Sequence, residues 1–548
     1  MYHKNQSVDV HQFAMVPKAD IPRSSFRRQS THKTTFDAGY LIPVYVDEVL
    51  PGDTFNLKMT AFARMATPIF PVMDNMYLDS FFFFVPNRLV WTNWVKFMGE
   101  QDNPADSISY TVPISTQTGG HVVGSLQDYM GLPTVGQVVG GNNWSYQTLP
   151  FRAYNLIWNQ WFRDENLQNS VTVDKGDGPD TIANYALLRR GKRHDYFTSA
   201  LPWVQKGNVS VSIPLGTSAI VKTQTTSQFT GAQVGIQWRD ALAGASSLGN
   251  QLAMVTNAGA NAPNFHASTT AGTANAGDFL YPSNLYADLT NATAATINQL
   301  RQSFQIQKLL ERDARGGTRY TEIIRAHFGV LSPDARLQRP EYLGGGSSPV
   351  NIHTITQNTQ TGLTGGTTPI GTVSGAATVT AHHGFTQSFT EHGVVIGLVS
   401  VRADLTYQQG MRKMWSRSTR YDFYFPVFAN LGEQAVLNKE IFLDGSANDS
   451  LVFGYQERWA EYRYLPSMIT SLFRSTASGT IDSWHLAQKF VGLPTLNTTF
   501  IQDTPPVSRV VAVGAAANGQ QFIFDSFFDI KTARCMPLYS VPGLVDHF

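Results

Sequence analysis

The chain has 548 residues, 41 basic against 40 acidic side chains, one cysteine and only 15% charged residues. A single cysteine excludes a disulfide scaffold and a thiolate zinc cluster, and it favours folding in a reducing compartment such as a cytoplasm. The formal net charge of +1 argues against a protein that coats nucleic acid along its whole length.

Residues 1–36 are basic and lack a clear apolar period. They carry six Lys or Arg side chains against two Asp. This composition predicts an extended arm, which is either a solvated tail or a segment that neutralises phosphate without reading bases. The side chains expected to contact phosphate are Arg23, Arg27, Arg28 and Lys33.

Two segments near the beginning of the chain have strand patterns. Residues 55–65 alternate apolar with mostly polar side chains, which predicts a half-buried strand. Residues 76–85 are too few for a membrane span and too aromatic for a typical helix, so we expect a strand buried on both faces and no membrane insertion. Further strands are predicted at residues 393–407, 421–428 and 521–531.

Helical patterns lie between these strand blocks. Thr296 and Gln299 have the spacing of a capping box, and the apolar period that follows predicts a helix that ends at Gly316. Strands at both ends of the chain favour one β core with long insertions, in which strands of residues 41–85 pair with strands of residues 393–530. Three more helices are predicted at residues 154–162, 321–327 and 482–491.

Two internal stretches are almost free of charge. Residues 342–390 contain no Asp, Glu, Lys or Arg, and residues 241–300 contain only two Asp. Both are rich in Gly, Ala, Ser, Thr and Asn, a composition that buries too little apolar area to fold alone. They are therefore either disordered linkers or segments ordered by neighbouring chains, and we expect residues 342–390 to be a neutral loop insertion.

Residues 402–464, the ionic block, hold the charge that these stretches lack. Sixteen of these 63 residues are ionic, both signs alternate, and aromatic and Met side chains lie among them. Such residue types are enriched at protein interfaces, although a core strand with a basic loop gives the same composition. The residues expected to contact other copies of the chain are Arg402, Arg412, Trp415, Arg417, Arg420, Glu457, Arg458, Glu461 and Arg463.

The sequence lacks the common catalytic signatures. It contains no Walker loop, no His-Glu-x-x-His, no Gly-x-Ser-x-Gly and no cysteine pair. His382 and His383 are adjacent, so on a strand they point to opposite faces and do not share a metal ion. We therefore expect no catalytic residues, no enzymatic activity, no metal site and no cofactor.

Longer motifs carry a family resemblance. The segment Arg402-Ala-Asp-Leu-Thr-Tyr-Gln-Gln-Gly410 belongs to the longest of several runs that together cover most of the chain. These runs resemble the major capsid protein of the Microviridae, most closely the gokushovirus branch. The other matching segments are residues 36–53, 68–75, 81–88, 332–344, 384–392, 419–424, 431–440 and 483–488.

The resemblance implies a mainly β fold, a single eight-stranded antiparallel jelly roll of the viral capsid type with long loop and helical insertions. It implies that residues 37–548 form this capsid domain, that the arm faces the interior, and that residues 205–295 form a surface protrusion at the threefold axes. Sixty copies would close a T = 1 icosahedral shell around circular single-stranded DNA. The protrusion residues singled out are Trp238, Phe265, His266, Phe279 and Tyr281.

The resemblance also implies partners and a location. The partners are the chain itself, the genome, an internal scaffolding protein, a small basic DNA-binding protein, a DNA pilot protein, and a host-surface receptor or glycan at the protrusion. The chain is expected in the virion, after assembly in the cytoplasm of a bacterial host. The alternative function is that of a soluble glycan-binding jelly-roll protein, which predicts monomers and sugar affinity.

Overall fold

The structure is a computed structural model that divides into two compact units. The first unit is Met1–Val204 with Ala314–Phe548, and the second is Gln205–Asp313. The residues described are 22–107, 109–207, 220–223, 237–240, 252–255, 264–267, 280–282, 285–288, 297–317, 319–329, 338–359, 370–512 and 521–539.

The described residues contain nineteen strands. In chain order they are β1 (Arg23–Phe36), β2 (Ile42–Val49), β3 (Thr54–Met65), β4 (Met76–Pro86), β5 (Ile114–Thr118), β6 (Asn143–Gln147), β7 (Ile220–Thr223), β8 (Gln237–Asp240), β9 (Leu252–Val255), β10 (Asn264–Ala267), β11 (Leu280–Pro282), β12 (Leu285–Asp288), β13 (Glu341–Pro349), β14 (Asn351–Thr356), β15 (Val373–Ser388), β16 (Gly393–Ala403), β17 (Glu433–Leu437), β18 (Val452–Glu457) and β19 (Phe522–Cys535).

Helices are fewer and mostly short. The α-helices are α1 (Trp94–Phe97), α2 (Leu126–Tyr129), α3 (Leu149–Ile157), α4 (Ile297–Gly316), α5 (Tyr320–Phe328), α6 (Asn438–Ile441) and α7 (Thr498–Ile501). The five residues Trp158–Phe162 extend α3 as a π-helical turn. Short 3₁₀ turns include Lys413–Ser416, Arg420–Asp422, Pro426–Phe428, Ala460–Tyr462 and Asp482–Trp484.

The core of the first unit is a sandwich of two antiparallel sheets. The five-stranded sheet has the order β1-β19-β3-β15-β14, and the four-stranded sheet has the order β13-β4-β16-β2. The chain alternates between the sheets from β1 to β4 and again through β13, β15, β16 and β19, which is the connectivity of a jelly roll. The expected fold class is confirmed, and β14 is an edge strand in addition to the eight.

Strands from opposite ends of the chain pair in the five-stranded sheet. β1 pairs with β19 along its whole length, starting with Arg23 opposite Cys535. β19 pairs on its other side with β3, and β16 pairs with both β2 and β4. The expected pairing of residues 41–85 with residues 393–530 is therefore confirmed.

β3 and β4 show how burial sets the sequence pattern of a strand. In β3, Phe55, Leu57 and Met59 are buried while the polar side chains between them point outward. In β4, Phe82 packs in the core between the sheets and Phe83 packs in a second core on the far side of the four-stranded sheet. Both strand predictions are confirmed, because a strand with one solvated face has period two and a strand covered on both faces does not.

The second core contains a buried ion pair. Trp91 and Tyr154 pack there among other aromatic and aliphatic side chains. Arg152 of α3 pairs with Asp180 at 2.5 Å, and neither side chain reaches solvent. The same guanidinium also donates to two backbone carbonyls, which satisfies most of its hydrogen-bonding capacity. Such a pair is costly to disrupt, since the remaining charge stays buried without a partner.

Residues 342–390 are not a loop insertion. Over their described part they form most of β13, and all of β14 and β15, within the two core sheets. Backbone hydrogen bonds need no charged side chain, and small residues allow close approach of strands. At Gly345, a Cβ atom would lie 2.0 Å from the Ser80 carbonyl oxygen of β4. The uncharged, small-residue composition of this segment therefore results from close packing of strands in the sheets.

The boundary of the basic arm is also corrected. Residues 23–36, assigned to the arm from composition, are β1 of the jelly roll. β1 lies at the edge of its sheet and most of its side chains are at least partly exposed, so its residues are polar and give no apolar period. Residues 1–21 lie outside the described part of the chain.

Local predictions have mixed outcomes. The helices predicted up to Gly316 and at residues 321–327 are confirmed as α4 and α5, and the helix predicted at residues 154–162 begins earlier, in α3. The strand predicted at residues 421–428 is wrong, because that segment forms 3₁₀ turns around a proline. The helix predicted at residues 482–491 is wrong. Tertiary contacts hold most of this segment in a non-helical conformation: Leu486 is buried, and Gln488 forms a β-bridge with Tyr407.

The second unit contains short strands and the first part of α4. Its described strands form a sheet with the order β10-β9-β8-β11 and a separate pair, β12-β7.

Replacing Asp180 by alanine is expected to lower the free energy of unfolding by about 3–5 kcal/mol, because the Arg152 guanidinium remains buried without its counterion. The exposed Asp102 provides a matched control, and Asp102→Ala should change this free energy by no more than about 0.5 kcal/mol. Urea unfolding followed by tryptophan fluorescence measures both values. A loss below about 1 kcal/mol for Asp180→Ala would mean that the pair contributes little to the second core.

Candidate nucleic-acid and subunit interfaces

Arg23, Arg27 and Lys33 lie on the outward face of β1. Arg27 donates two hydrogen bonds to the Asp529 carboxylate of β19, at 2.8 and 2.9 Å, and Lys33 pairs with Asp525. The hydrogen bond from Arg27 lowers the pKa of Asp529 below its ordinary value. Three of the four cations expected to contact phosphate therefore share one solvent-exposed face.

Arg28 occupies the opposite face of β1. Its guanidinium contacts Asp47 of β2 at 2.6 Å and lies 5.4 Å from the centre of the Phe55 ring. Neighbouring side chains on a strand point to opposite faces, so the pair Arg27-Arg28 cannot act on one surface. The structure thus does not bring Arg28 together with the other three cations.

Part of the ionic block folds onto itself. Arg417 and Glu461 form an ion pair at 3.1 Å with side chains only about a tenth exposed, and the Arg417 guanidinium lies 4.4 Å from the Tyr462 ring. Arg402 lies apart from the block surface, on β16, where it pairs with Asp79 at 2.9 Å. These three predicted contact residues have partners within their own chain.

Other members of the block are exposed. Trp415 is 71% exposed. Glu457 and Arg463 form a pair at 2.8 Å in which both side chains are more than half exposed. The remaining predicted cations contact groups in the block or just beyond it: Arg412 the Pro466 carbonyl, Arg420 the Phe425 ring and Arg458 the Trp459 ring.

A cavity of about 890 Å³ opens beside the block. Its lining includes Arg412, Trp415 and Tyr196, whose hydroxyl donates to Glu440 at 3.1 Å. Burial raises the pKa of Glu440, against the opposing effect of the nearby Lys413. The residue pattern of the ionic block predicted Arg412 and Trp415 as contact residues, but nothing in the local pattern of Tyr196 indicates so distant a partner.

A second cavity, of about 610 Å³, has a cationic wall of which the sequence singled out only Arg402, as a subunit contact. Burial lowers the pKa of one member, Lys192, to about 8. Two carboxylates hold three of these cations, since Asp79 pairs with Arg190 and Arg402 while Asp404 pairs with Arg193. The cations lining this cavity are Arg163, Arg190, Lys192, Arg193 and Arg402.

The residues singled out for the protrusion lie on separate strands of the second unit. Trp238 is in β8, Phe265 and His266 are in β10, and Tyr281 is in β11. In backbone register Trp238 pairs with Leu252 on one side and Pro282 on the other. Phe279 lies outside the described residues.

The two adjacent histidines of β15 have separate surroundings. His382 points outward, 3.3 Å from the Thr60 hydroxyl, whereas His383 lies between the sheets and hydrogen-bonds Ser80 and Ser348. Across the described part of the chain, no three His, Cys, Asp or Glu side chains gather in a way that fits a metal ion. Within the same residues, no helix is long and apolar enough to cross a membrane.

Comparison with known proteins adds a family. The family model described as "Capsid protein (F protein)" matches residues 14–544. The chain is 46% identical over 539 residues to the capsid protein VP1 of Bdellovibrio phage phiMH2K, covering 98% of each protein. It is 43% identical over 606 residues to capsid protein VP1 of Chlamydia phage 1, covering 99% of each, and 36% identical over 555 residues to capsid protein VP1 of Spiroplasma virus 4, covering 98% of each.

The jelly-roll fold and the match to capsid proteins over nearly the whole length define the chain as a viral capsid protein, which is a structural component of the virion. The chain belongs to the F-protein family of phage capsid proteins, and the resemblance to the gokushovirus branch of the Microviridae is confirmed. This family is a structural one and not an enzyme class, and capsid proteins work by assembling with copies of themselves.

Proposed function

We propose that sixty copies of the chain assemble into a T = 1 icosahedral shell around a circular single-stranded DNA genome. The family and the jelly roll support the shell, because a jelly roll presents several loop-rich surfaces that can meet unlike neighbours around closed symmetry axes. The proposal includes assembly in the bacterial cytoplasm with an internal scaffolding protein, a small basic DNA-binding protein and a DNA pilot protein.

The observation that carries the assembly proposal is a set of exposed apolar side chains in the ionic block and directly after it. Large side chains that a soluble monomer normally buries are more than two-thirds exposed in this block and just beyond it. They lie beside exposed cations, and aromatic, Met and Arg residues are typical of interface centres. The exposed residues are Trp415, Tyr421, Val427, Leu465 and Met468.

The proposed interior surface is the outward face of β1. Arg23, Arg27 and Lys33 are exposed there, although Asp529 and Asp525 hold two of them. Exposed ion pairs are weak, so phosphate can compete for the cations at little cost to the fold.

Trp415→Ala combined with Leu465→Ala is expected to abolish or strongly reduce particle formation without unfolding the chain, because it removes the exposed apolar centre of the proposed contact. Native mass spectrometry and electron microscopy of the expressed chain measure assembly. Val491→Ala, at a fully exposed side chain outside the block, is the matched control and should assemble like the wild type. Normal shells from the double variant would contradict the assigned contact, and salt-independent monomers from the wild type would contradict assembly itself.

Arg27→Gln combined with Lys33→Gln is expected to lower the DNA content of purified particles. In oligonucleotide binding, the slope of log affinity against log salt should fall by up to about 0.7 for each charge removed. The control removes two exposed cations outside the core sheets, with Lys175→Gln and Arg325→Gln. Equal DNA content and equal salt slopes in both variants would count against a genome-facing β1.

Host attachment by residues 205–295 is the third part of the proposal. The exposed aromatic and polar character expected there suits a glycan or protein receptor, for which large apolar rings beside hydrogen-bonding groups are typical. Particles lacking residues 225–290 are expected to assemble yet lose binding on a glycan array or to host cells. Retained binding by such particles would place attachment elsewhere.

A further inference from the structure

The outward face of the five-stranded sheet carries two exposed phenyl rings. Phe62 of β3 is 51% exposed and Phe527 of β19 is 39% exposed. Phe62 is opposite Asp525 and Phe527 is opposite Thr60, so the two rings are diagonal neighbours on adjacent strands of one face. Diagonal neighbours of this kind have Cβ atoms roughly 7–8 Å apart. Both positions belong to the alternating set that the sandwich does not bury.

Exposed cations surround this pair of rings. Lys58 and Arg64 extend from β3 and Lys531 from β19, all on the same face. None of the three forms an ion pair with a carboxylate among the described residues. The two acidic side chains of the face, Asp525 and Asp529, are already held by β1 cations. The face therefore keeps a positive excess beside its aromatic rings.

Most of the remaining side chains of the face on β3, β15 and β19 are neutral and polar, but Ile523 of β19 is 59% exposed opposite Arg64. Thr60 and Asn56 lie between the charges on β3, and β15 contributes Thr380 and Thr386 with no charged residue. The apolar side chains Phe62, Phe527 and Ile523 lie among Thr, Asn, Lys and Arg, so the face is more cationic and polar than the centre of a typical protein interface. Rings flanked by cations on an open sheet are instead typical of single-stranded nucleic-acid platforms.

We propose that this face binds single-stranded DNA by stacking neighbouring bases on Phe62 and Phe527 while Lys58, Arg64 and Lys531 contact the phosphates. The inference rests on the proposed enclosure of a single-stranded genome. It adds a base-stacking site for the DNA to the phosphate contacts proposed for the β1 cations. Stacking is independent of sequence, because every base offers a π face. Unpaired bases are needed, so the site favours single strands over duplex.

The test uses the full-length chain and two probes of equal length, an oligothymidylate and an abasic oligonucleotide. Phe62→Ala with Phe527→Ala should weaken oligothymidylate binding at least ten-fold, measured by fluorescence anisotropy, and leave abasic binding unchanged. Phe62→Trp should retain or strengthen binding, which separates lost stacking from lost folding. Phe328→Ala, at a phenylalanine 76% exposed on α5, is the matched control and should bind like the wild type.

Each alternative outcome has a distinct meaning. Unchanged oligothymidylate binding by the double alanine variant, with DNA still present in wild-type particles, would overturn the stacking site and leave genome enclosure standing. Wild-type particles that contain no DNA would overturn enclosure itself. Equal losses on both probes would overturn the inference, because they would show that the rings support the fold or the phosphate contacts and do not stack on bases. Unchanged oligothymidylate binding together with loss of particle assembly in the double variant would overturn it too, and would identify the face as a protein-docking surface.

Discussion

The pairing of β1, β19 and β3 is the constraint on which the rest of the structure depends. Neighbouring strands of one sheet come from the two ends of the chain, so their pairing closes a loop that contains nearly all the residues between them. The entropy of closing a long loop grows slowly with its length. Long insertions between the strands therefore add little to the cost of closure, which explains how a jelly roll carries a whole second unit.

The same sheet separates two kinds of chemistry by its alternation. Its inner face supplies the core with side chains such as Phe524 and Phe528, and its outer face carries charged side chains, threonines and a few exposed apolar side chains. Because successive side chains point in opposite directions, the same strands supply a polar surface on one face and an apolar core on the other. Arg27 and Arg28 show the effect at single-residue scale: one faces solvent and the other reaches between the sheets.

Sequence patterns predicted the fold where burial is simple. Residues 55–65, with one wet face, and residues 76–85, covered on both faces, were recognisable because their patterns follow directly from burial. Prediction failed where distant contacts set the conformation. Residues 482–491 have helical spacing, but contacts with neighbours such as Tyr407 prevent a helix. The neutral segment at 342–390 has the composition of a linker, although its small residues allow strands to approach closely. The Tyr196 wall of the large cavity was missed for the same reason.

The position of β19 determines when, during synthesis, the chain can complete the five-stranded sheet. β19 lies between β1 and β3, and its residues 522–535 are among the last to leave the ribosome. At about 5–20 residues per second, synthesis takes tens of seconds from the first strand to this one, and during that time β1 has no neighbour to pair with. A chain cut short cannot close the sheet, so only finished polypeptides display a complete shell-forming surface.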